Sequence, residues 1–375
     1  MRIGIIGDAL DRQYAGIHYF TKNLIRSLID IDQVNEYFLF REKKGEEGFQ
    51  CEEIIIPTYP WLPGYQSARL LSVIPRKAVD LNLDMLIEPA HFGPFNLPKS
   101  IKRVTVIHDL TPILFRKWHT FNGWFLQKLF LPGIVRRADL IITNSEYTKS
   151  DIVTYLGKEA KQIIPTHLGI SGIFKPSHDP KILAKYGIFK PYILYQGTLE
   201  PRKNLINLIM AYEEYRKQNP DAQEQLILSG KKGWKIREII RKKYSSEYRD
   251  DIILLGYVER NDMPAIYSGA KLFAYPSLYE GFGLPVLEAM ACGTPIITSN
   301  RSSLPEVAGK YAVYFNPESV EEMCQAILNS LSNNRNIRED QIRYAQQFTW
   351  HKTAQRVLDG LNQLKIHQDN PKVMS

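Results

Sequence analysis

Cysteine is nearly absent: the 375 residues include 3, Cys51, Cys292 and Cys324. Far apart and odd in number, they make neither a disulfide framework nor a zinc spacing, and they suit a reducing cytoplasm. There is no run of about eighteen apolar residues, so no membrane-spanning helix is expected. Residues 1–7 are too short, and too soon interrupted by Asp8, to be a signal peptide; they read as a first strand. Low-complexity segments and short tandem repeats are also lacking. No Asp-x-Asp follows a strand and no His or Cys cluster, so no metal and no cofactor are expected. Gly4 and Gly7 do not complete a Gly-x-Gly-x-x-Gly, which removes the dinucleotide fingerprint and with it an oxidoreductase.

What is present is an ordinary globular balance, 44% hydrophobic and 23% charged residues, in a chain long enough for two domains. The net charge of +8 favours anionic partners, and residues 99–161 carry 11 Lys or Arg against 5 Asp or Glu. A nucleic-acid partner would need a recognisable module or a basic, aromatic-lined face, and none is seen.

Short apolar runs alternate with longer amphipathic ones, the pattern of an α/β chain with parallel sheets. Strands are expected at 2–7, 37–40, 53–56, 85–88, 104–108 and 140–143, with a helix over 17–29 where Phe20, Leu24 and Leu28 recur at helical spacing. Residues 163–180, rich in Pro, Gly and Ser, read as a connection. The pattern then restarts, with strands at 192–196, 225–229, 252–255, 272–275, 294–298 and 312–315. Helices fit 205–218, 264–268 and 285–292. Two successive doubly wound domains describe this most economically, and ligands of such sheets bind just beyond the carboxyl ends of their strands.

The stretch from Tyr275 to Pro295 sits at such a place. A strand ends, a loop with Gly281, Phe282, Gly283 and Leu284 follows, Pro285 suits a first helical turn and Gly293 a carboxyl cap. Loop and helix start offer N–H groups to an anion. Glu280 and Glu288 point toward one mouth, either as ligands of hydroxyl groups or as acids favoured only by the helix dipole. Gln196–Asn204 places Arg202 and Lys203 after another strand, and Val104–Pro112 places His108 and Asp109 at the end of a third. His108 is either a polar contact for a ligand, a proton acceptor, or a structural cap. Gly16, opening a helix after the first strand, would let backbone approach a diphosphate.

The run Glu-Gly-Phe-Gly-Leu-Pro…Glu-Ala-Met-Ala-Cys-Gly-Thr-Pro and the Gly-x-x-x-x-Arg-Lys-Asn of Gly197–Asn204 resemble retaining glycosyltransferases of family 4, group 1. That family includes sucrose synthase and many bacterial mannosyl- and glucosyltransferases and has the GT-B fold, two Rossmann-like domains facing across a cleft. The resemblance covers nearly the whole chain, most specifically 195–306. It implies a metal-independent transfer from a nucleotide diphosphate sugar. Glu280 and residues 281–284 would contact the donor sugar, Glu288 the ribose, and Arg202 and Lys203 the diphosphate. His108 would position the sugar, since the leaving phosphate itself can take the acceptor's proton. Tyr257 and Val258 match a segment whose backbone reads the nucleobase, though a plain strand end fits them too. Residues 302–306 would close the site near the diphosphate.

The 346–350 segment resembles the family's terminal segment, which returns to the first domain. The expected division is therefore 1–170 plus 350–375 on the acceptor side, and 180–349 on the donor side. The His-Asp-Leu-x-Pro run of 108–112 is similar to that of bacterial polysaccharide mannosyltransferases and points to GDP-mannose, with a UDP-glucose-type donor as the alternative. Residues 115–137 combine Phe115, Trp118, Phe121, Trp124, Phe125, Leu126, Leu129 and Phe130 with Arg116, Lys117, Lys128, Arg136 and Arg137. They serve either an anionic membrane interface with a lipid-linked acceptor, or the domain's own core.

Overall fold

The computed structural model describes residues 1–369 apart from 13–14, 46–47, 60, 63, 91–95, 117–120 and 333–337. The chain forms two compact units, one of residues 1–169 with the segment from Thr349 onward, the other of Ile170–Phe348.

The first unit is built on a seven-stranded sheet of β1 (Arg2–Ile6), β2 (Glu36–Arg41), β3 (Glu52–Ile55), β4 (Met85–Glu88), β5 (Lys102–Ile107), β6 (Leu140–Thr143) and β7 (Ile163–Pro165). Every pairing is parallel, in the order β3-β2-β1-β4-β5-β6-β7. Central strands buried on both faces must be apolar throughout, and Ile3, Ile5, Met85, Ile87, Val104, Val106, Ile141 and Ile142 are all at or near zero exposure. β7 corrects the reading of 163–180 as connection. Ile163 and Ile164 pair with Ile141 and Ile142, and Pro165 is tolerated because the strand lies at the sheet's edge.

The helix Ala15–Ile31 buries Phe20, Leu24, Ile25 and Leu28 in this unit. The last helix, Trp350–Asp369, returns to the same unit, burying Trp350, Ala354, Val357 and Leu361 along one stripe. The Trp350 indole meets Tyr19 and Phe20 edge-on, and Thr353 Oγ1 donates to His167 O at 2.6 Å. Gly169 admits this return: a Cβ there would lie 2.2 Å from Trp350 N.

The second unit repeats the scheme with six parallel strands, β8 (Tyr192–Gln196), β9 (Gln225–Ser229), β10 (Ile252–Gly256), β11 (Leu272–Tyr275), β12 (Ile296–Ser299) and β13 (Ala312–Phe315). Their order is β10-β9-β8-β11-β12-β13. The α/β, two-unit Rossmann-like architecture expected from the alternation of apolar runs is therefore the one formed. Each sheet has one point where the chain, having built outward on one side, resumes on the other: β1/β4 in the first unit and β8/β11 in the second. Among the described residues no helix is long and apolar enough to cross a membrane.

Candidate active site

At the β8/β11 switch point two loops meet. One leaves β8 as Gly197–Glu200, turns through Pro201–Lys203, and enters the helix Leu205–Gln218 at Asn204, whose φ is 58°. The other leaves β11 as Pro276–Gly283 and enters the helix Leu284–Ala291. Leu278 N–H donates to Arg202 O at 3.0 Å and ties the loops together. The glycine at the second entry is required: Gly283 has φ 109°, and a Cβ would sit 2.8 Å from Leu304 Cδ2. Gly281 and Phe282 are buried beside it, and Leu284 is half-buried.

Glu280 is the hub. Its Oε1 accepts from Lys203 Nζ at 2.5 Å, Ser277 Oγ at 2.5 Å and Tyr275 OH at 3.2 Å. Its Oε2 accepts from Arg202 Nη1 at 2.9 Å. Burial by itself would raise this carboxyl. The charges of Arg202 and Lys203 and the hydrogen bonds from Lys203 and Ser277 outweigh it, and hold Glu280 at about 2. Arg202 also donates from Nε and Nη2 to Glu200 Oε1, and from Nη1 to Tyr279 O. The two cations read from the sequence as phosphate contacts are thus ion-paired to Glu200 and Glu280, and Lys203 is a buried side chain.

Tyr275, Ser277 and Glu200 complete the cluster but were not singled out from the sequence, where a strand-end tyrosine and a loop serine carry no signal of their own. The Ser302–Glu306 turn also meets it, since Ser302 Oγ accepts from Glu280 N–H at 2.9 Å. Ser303 Oγ donates to the carbonyls of Glu280 and Phe282.

Glu288, in the second turn of Leu284–Ala291, has a different environment. Oε2 accepts from Tyr267 OH at 3.1 Å, and the Arg260 guanidinium stands 3.7 Å from Oε1. Burial raises its carboxyl to about 7, only partly opposed by Arg260 and Tyr267. Two acids on one loop and helix are therefore held some distance apart on the pH scale, one a fixed carboxylate and one poised near neutrality. Tyr257, exposed, and Val258, buried, follow β10. Their loop is stitched to the others by backbone bonds, Gly230 N–H to Gly256 O and Gly197 N–H to Ser229 O.

His108 and Gly16 lie in the first unit. A carbonyl can only accept, so His108 Nε2 carries the proton it donates to Pro89 O at 2.7 Å. Nδ1 is then the acceptor for Asn144 Nδ2 at 3.0 Å. Burial lowers the pKa of the ring, and Phe20 meets it edge-on at 4.9 Å. A neutral imidazole bonded at both nitrogens is held in place by Pro89 O and the Asn144 amide. Gly16 is exposed in the first turn of Ala15–Ile31, and a Cβ there would meet nothing within 4 Å, so no packing within the unit demands glycine.

In the 115–137 stretch, Lys117 and Trp118 lie outside the described residues, as do the side chains of Phe121 and Leu126. The helix Phe121–Arg137 divides its apolar residues. Leu131, Ile134 and Val135 are buried, whereas Phe125, Leu129 and Phe130 are 48%, 59% and 41% exposed. Trp124 is flanked by Arg116 at 4.6 Å and Lys128 at 5.1 Å.

The profile of the family described as Glycosyl transferases group 1 matches residues 179–348. An O-antigen chain mannosyltransferase B of Escherichia coli is 35% identical over 72% of this chain and 73% of its own length. A serotype-specific mannosyltransferase of the same organism is 28% identical over 70% of this chain, which spans only 34% of that longer protein. Among solved structures, sucrose-phosphate synthase from Thermosynechococcus elongatus superposes with a TM-score of 0.74 at 19% identity, covering 98% of this chain and 99% of that one. The Anabaena protein HepE, in complex with UDP and glucose, gives 0.73 at 18%, covering 97% and 100%. At such identities the likeness to both structures is one of fold.

Proposed function

Because this chain belongs to the group 1 glycosyl transferases and has their GT-B fold, we propose that it is a retaining, metal-independent mannosyltransferase of surface-polysaccharide synthesis, with GDP-mannose as donor. The observation that carries this reading is the Arg202–Lys203–Glu280 cluster at the β8/β11 switch point, beside the glycine loop that opens the helix Leu284–Ala291. The resemblance to an O-antigen mannosyltransferase supports the choice of sugar.

In this reading the second unit holds the donor. Tyr257 and Val258 meet the base and Glu288 the ribose, while residues 281–284 receive the donor by their N–H groups. Glu280, fixed as a carboxylate, accepts from sugar hydroxyls. As the bond from C1 to the diphosphate breaks, Arg202 and Lys203 stabilise the charge that develops, which fixed cations can do where other enzymes use a metal. The acceptor hydroxyl oxygen bonds to C1, and its proton passes to the departing phosphate oxygen. The acceptor, a saccharide or lipid-linked saccharide, is assigned to the first unit. The outward Phe125, Leu129 and Phe130 support peripheral contact with an anionic membrane on its cytoplasmic face.

Calorimetry against GDP, UDP, ADP and their sugars, with chelator present, is the direct test. GDP and GDP-mannose should bind selectively, with the same affinity with and without chelator. Absence of binding by every diphosphate at millimolar concentration would overturn the transferase mechanism, and selective binding of UDP would replace the donor.

A further inference from the structure

The cations inside the β8/β11 site are neutralised by its own acids. Arg202 is paired with Glu200 and Glu280, Lys203 with Glu280, and Arg260 faces Glu288. A nucleotide diphosphate sugar carries negative charge on both phosphates, and a paired interior exerts little pull on it from a distance. Long-range attraction has to come from charge outside the pairs.

Such charge stands at the rim. Residues 231–243 hold seven Lys or Arg against one acid, Glu238. Two of the cations are engaged locally: Lys242 Nζ donates to Glu213 at 2.7 Å, and Lys243 Nζ to Arg249 O at 2.9 Å. Lys231, Lys232, Lys235, Arg237 and Arg241 are exposed and, among the described residues, make no ion pair. Arg237 and Arg241 lie one turn apart on the outer side of the helix Ile236–Tyr244, opposite the buried Ile239.

The fold brings this segment to the donor site. It leaves β9 at Ser229, and Leu199 N–H donates to Lys231 O at 3.0 Å while Gly233 N–H donates to Leu199 O at 3.1 Å. The segment thus runs alongside the Gly197–Glu200 loop, whose Glu200 holds Arg202. The approach is close: a Cβ at Gly230 would lie 1.9 Å from Gly197 O. On its other side Lys231 Nζ stands 5.2 Å from the Tyr257 ring, and Gly230 N–H donates to Gly256 O at 2.7 Å.

Like charges gathered without acids repel one another and add nothing to the fold. Beside a ligand site they have another effect. A rim of one sign raises the local concentration of an oppositely charged ligand and speeds its association by about 10- to 1000-fold, an effect that salt removes. We propose that Lys231, Lys232, Lys235, Arg237 and Arg241 form an electrostatic rim that draws the nucleotide diphosphate sugar in and sets the rate at which it reaches the β8/β11 site. The proposal rests on the donor reading above, and adds that these residues govern association rather than the bound complex.

The test uses the full chain and unlabelled GDP. Phosphorus NMR line shapes give koff, calorimetry gives Kd, and their quotient gives kon. For the wild-type chain kon should fall about tenfold between about 20 and 500 mM salt. The combined Lys232→Gln, Lys235→Gln, Arg237→Gln, Arg241→Gln variant should show kon about tenfold lower at the low-salt end, koff within about twofold of wild type, and a flatter salt dependence that converges with wild type at high salt. Exchanging the same four positions between Lys and Arg should preserve wild-type kon, because attraction at a distance reads charge and not the fork of a guanidinium. Lys217→Gln with Lys271→Gln supplies the control. Lys217 lies in the last turn of the helix that leaves the site, and Lys271 precedes β11, so both stand toward the other end of the sheet. That pair should slow association less than about twofold. In turnover the rim variant should raise KM for the donor and leave kcat at saturation unchanged.

A wild-type kon that ignores salt, a loss that appears in koff, or an equal loss in the control pair overturns the rim. Absence of GDP binding by wild type at every salt concentration indicts the donor reading instead, whereas a rim variant that binds GDP with wild-type kon overturns the rim alone.

Discussion

Arg202 and Lys203 grip one acid from two sides, so removing either has two consequences. If they stabilise the leaving diphosphate, Arg202→Ala or Lys203→Ala loses a contact worth about 2–4 kcal/mol in the transition state, a fall in turnover of about 30- to 1000-fold. Lys203→Ala also strips a cation from the buried Glu280 and should destabilise the second unit by about 3 kcal/mol. Steady-state kinetics alongside thermal melts separates the effects. Unchanged turnover in both variants would remove them from the mechanism. Arg202→Lys should not rescue, because the forked geometry that spans Glu200, Glu280 and Tyr279 O cannot be reproduced by a point charge.

At the scale of the element, the helix Phe121–Arg137 shows how one segment answers two readings. Its second half supplies core through Leu131, Ile134 and Val135, while Phe125, Leu129 and Phe130 face outward beside Lys128. Large apolar side chains left out of a core and accompanied by cations fit a membrane interface. The full chain should therefore sediment with vesicles rich in anionic lipid at low salt, and the combined Phe125→Ser, Leu129→Ser, Phe130→Ser variant should lose that binding without loss of GDP affinity. No sedimentation at low salt would sink the idea. The loop-and-helix Pro276–Ala291 makes a simpler case, since its glycine was readable from the sequence and its need is plain in the positive φ of Gly283.

For the whole molecule, each unit carries a buried acid whose pKa is raised, Glu88 to about 8 and Glu288 to about 7, against an ordinary value of 4.5. The folded chain then holds protons that the unfolded chain has released. Their contribution to stability is complete below about 4.5 and declines as pH rises through 7 and 8. Glu280, held at about 2, does the reverse: its contribution is complete above about 4.5 and is lost as pH falls toward 2. Calorimetric melts should therefore shift downward between pH 5 and 8.5. Glu288→Gln and Glu88→Gln should each flatten part of that slope, and melting temperatures that climb across this window would contradict the assignment. If Glu288 receives the ribose as proposed, a ribose hydroxyl donates best to its charged form, and GDP affinity should rise as pH passes 7.

Much of this protein lies in its local sequence. Period and composition mark the strands of both sheets, several to the residue, because a parallel strand buried on two faces must be a short, wholly apolar run. Gly281–Gly283 and the Pro-led helix after them announce a tight loop-to-helix turn for similar local reasons. β7 escaped because three residues, one of them proline, become a strand only when Leu140–Thr143 lies beside them. The partnership of Lys203 with Glu280, 77 residues apart, depends on β8 and β11 being neighbours, which no local pattern states. Glu88 is plainer still. In sequence it is the last residue of an apolar strand, and nothing there tells whether a cation will meet it. Only the tertiary structure decides that, by closing Arg69 onto Asp8 from 61 residues away and leaving Glu88 buried with its proton. Local backbone and burial preferences act over a few residues, whereas charge pairing depends on which strand ends are brought together, and that is set by sheet order.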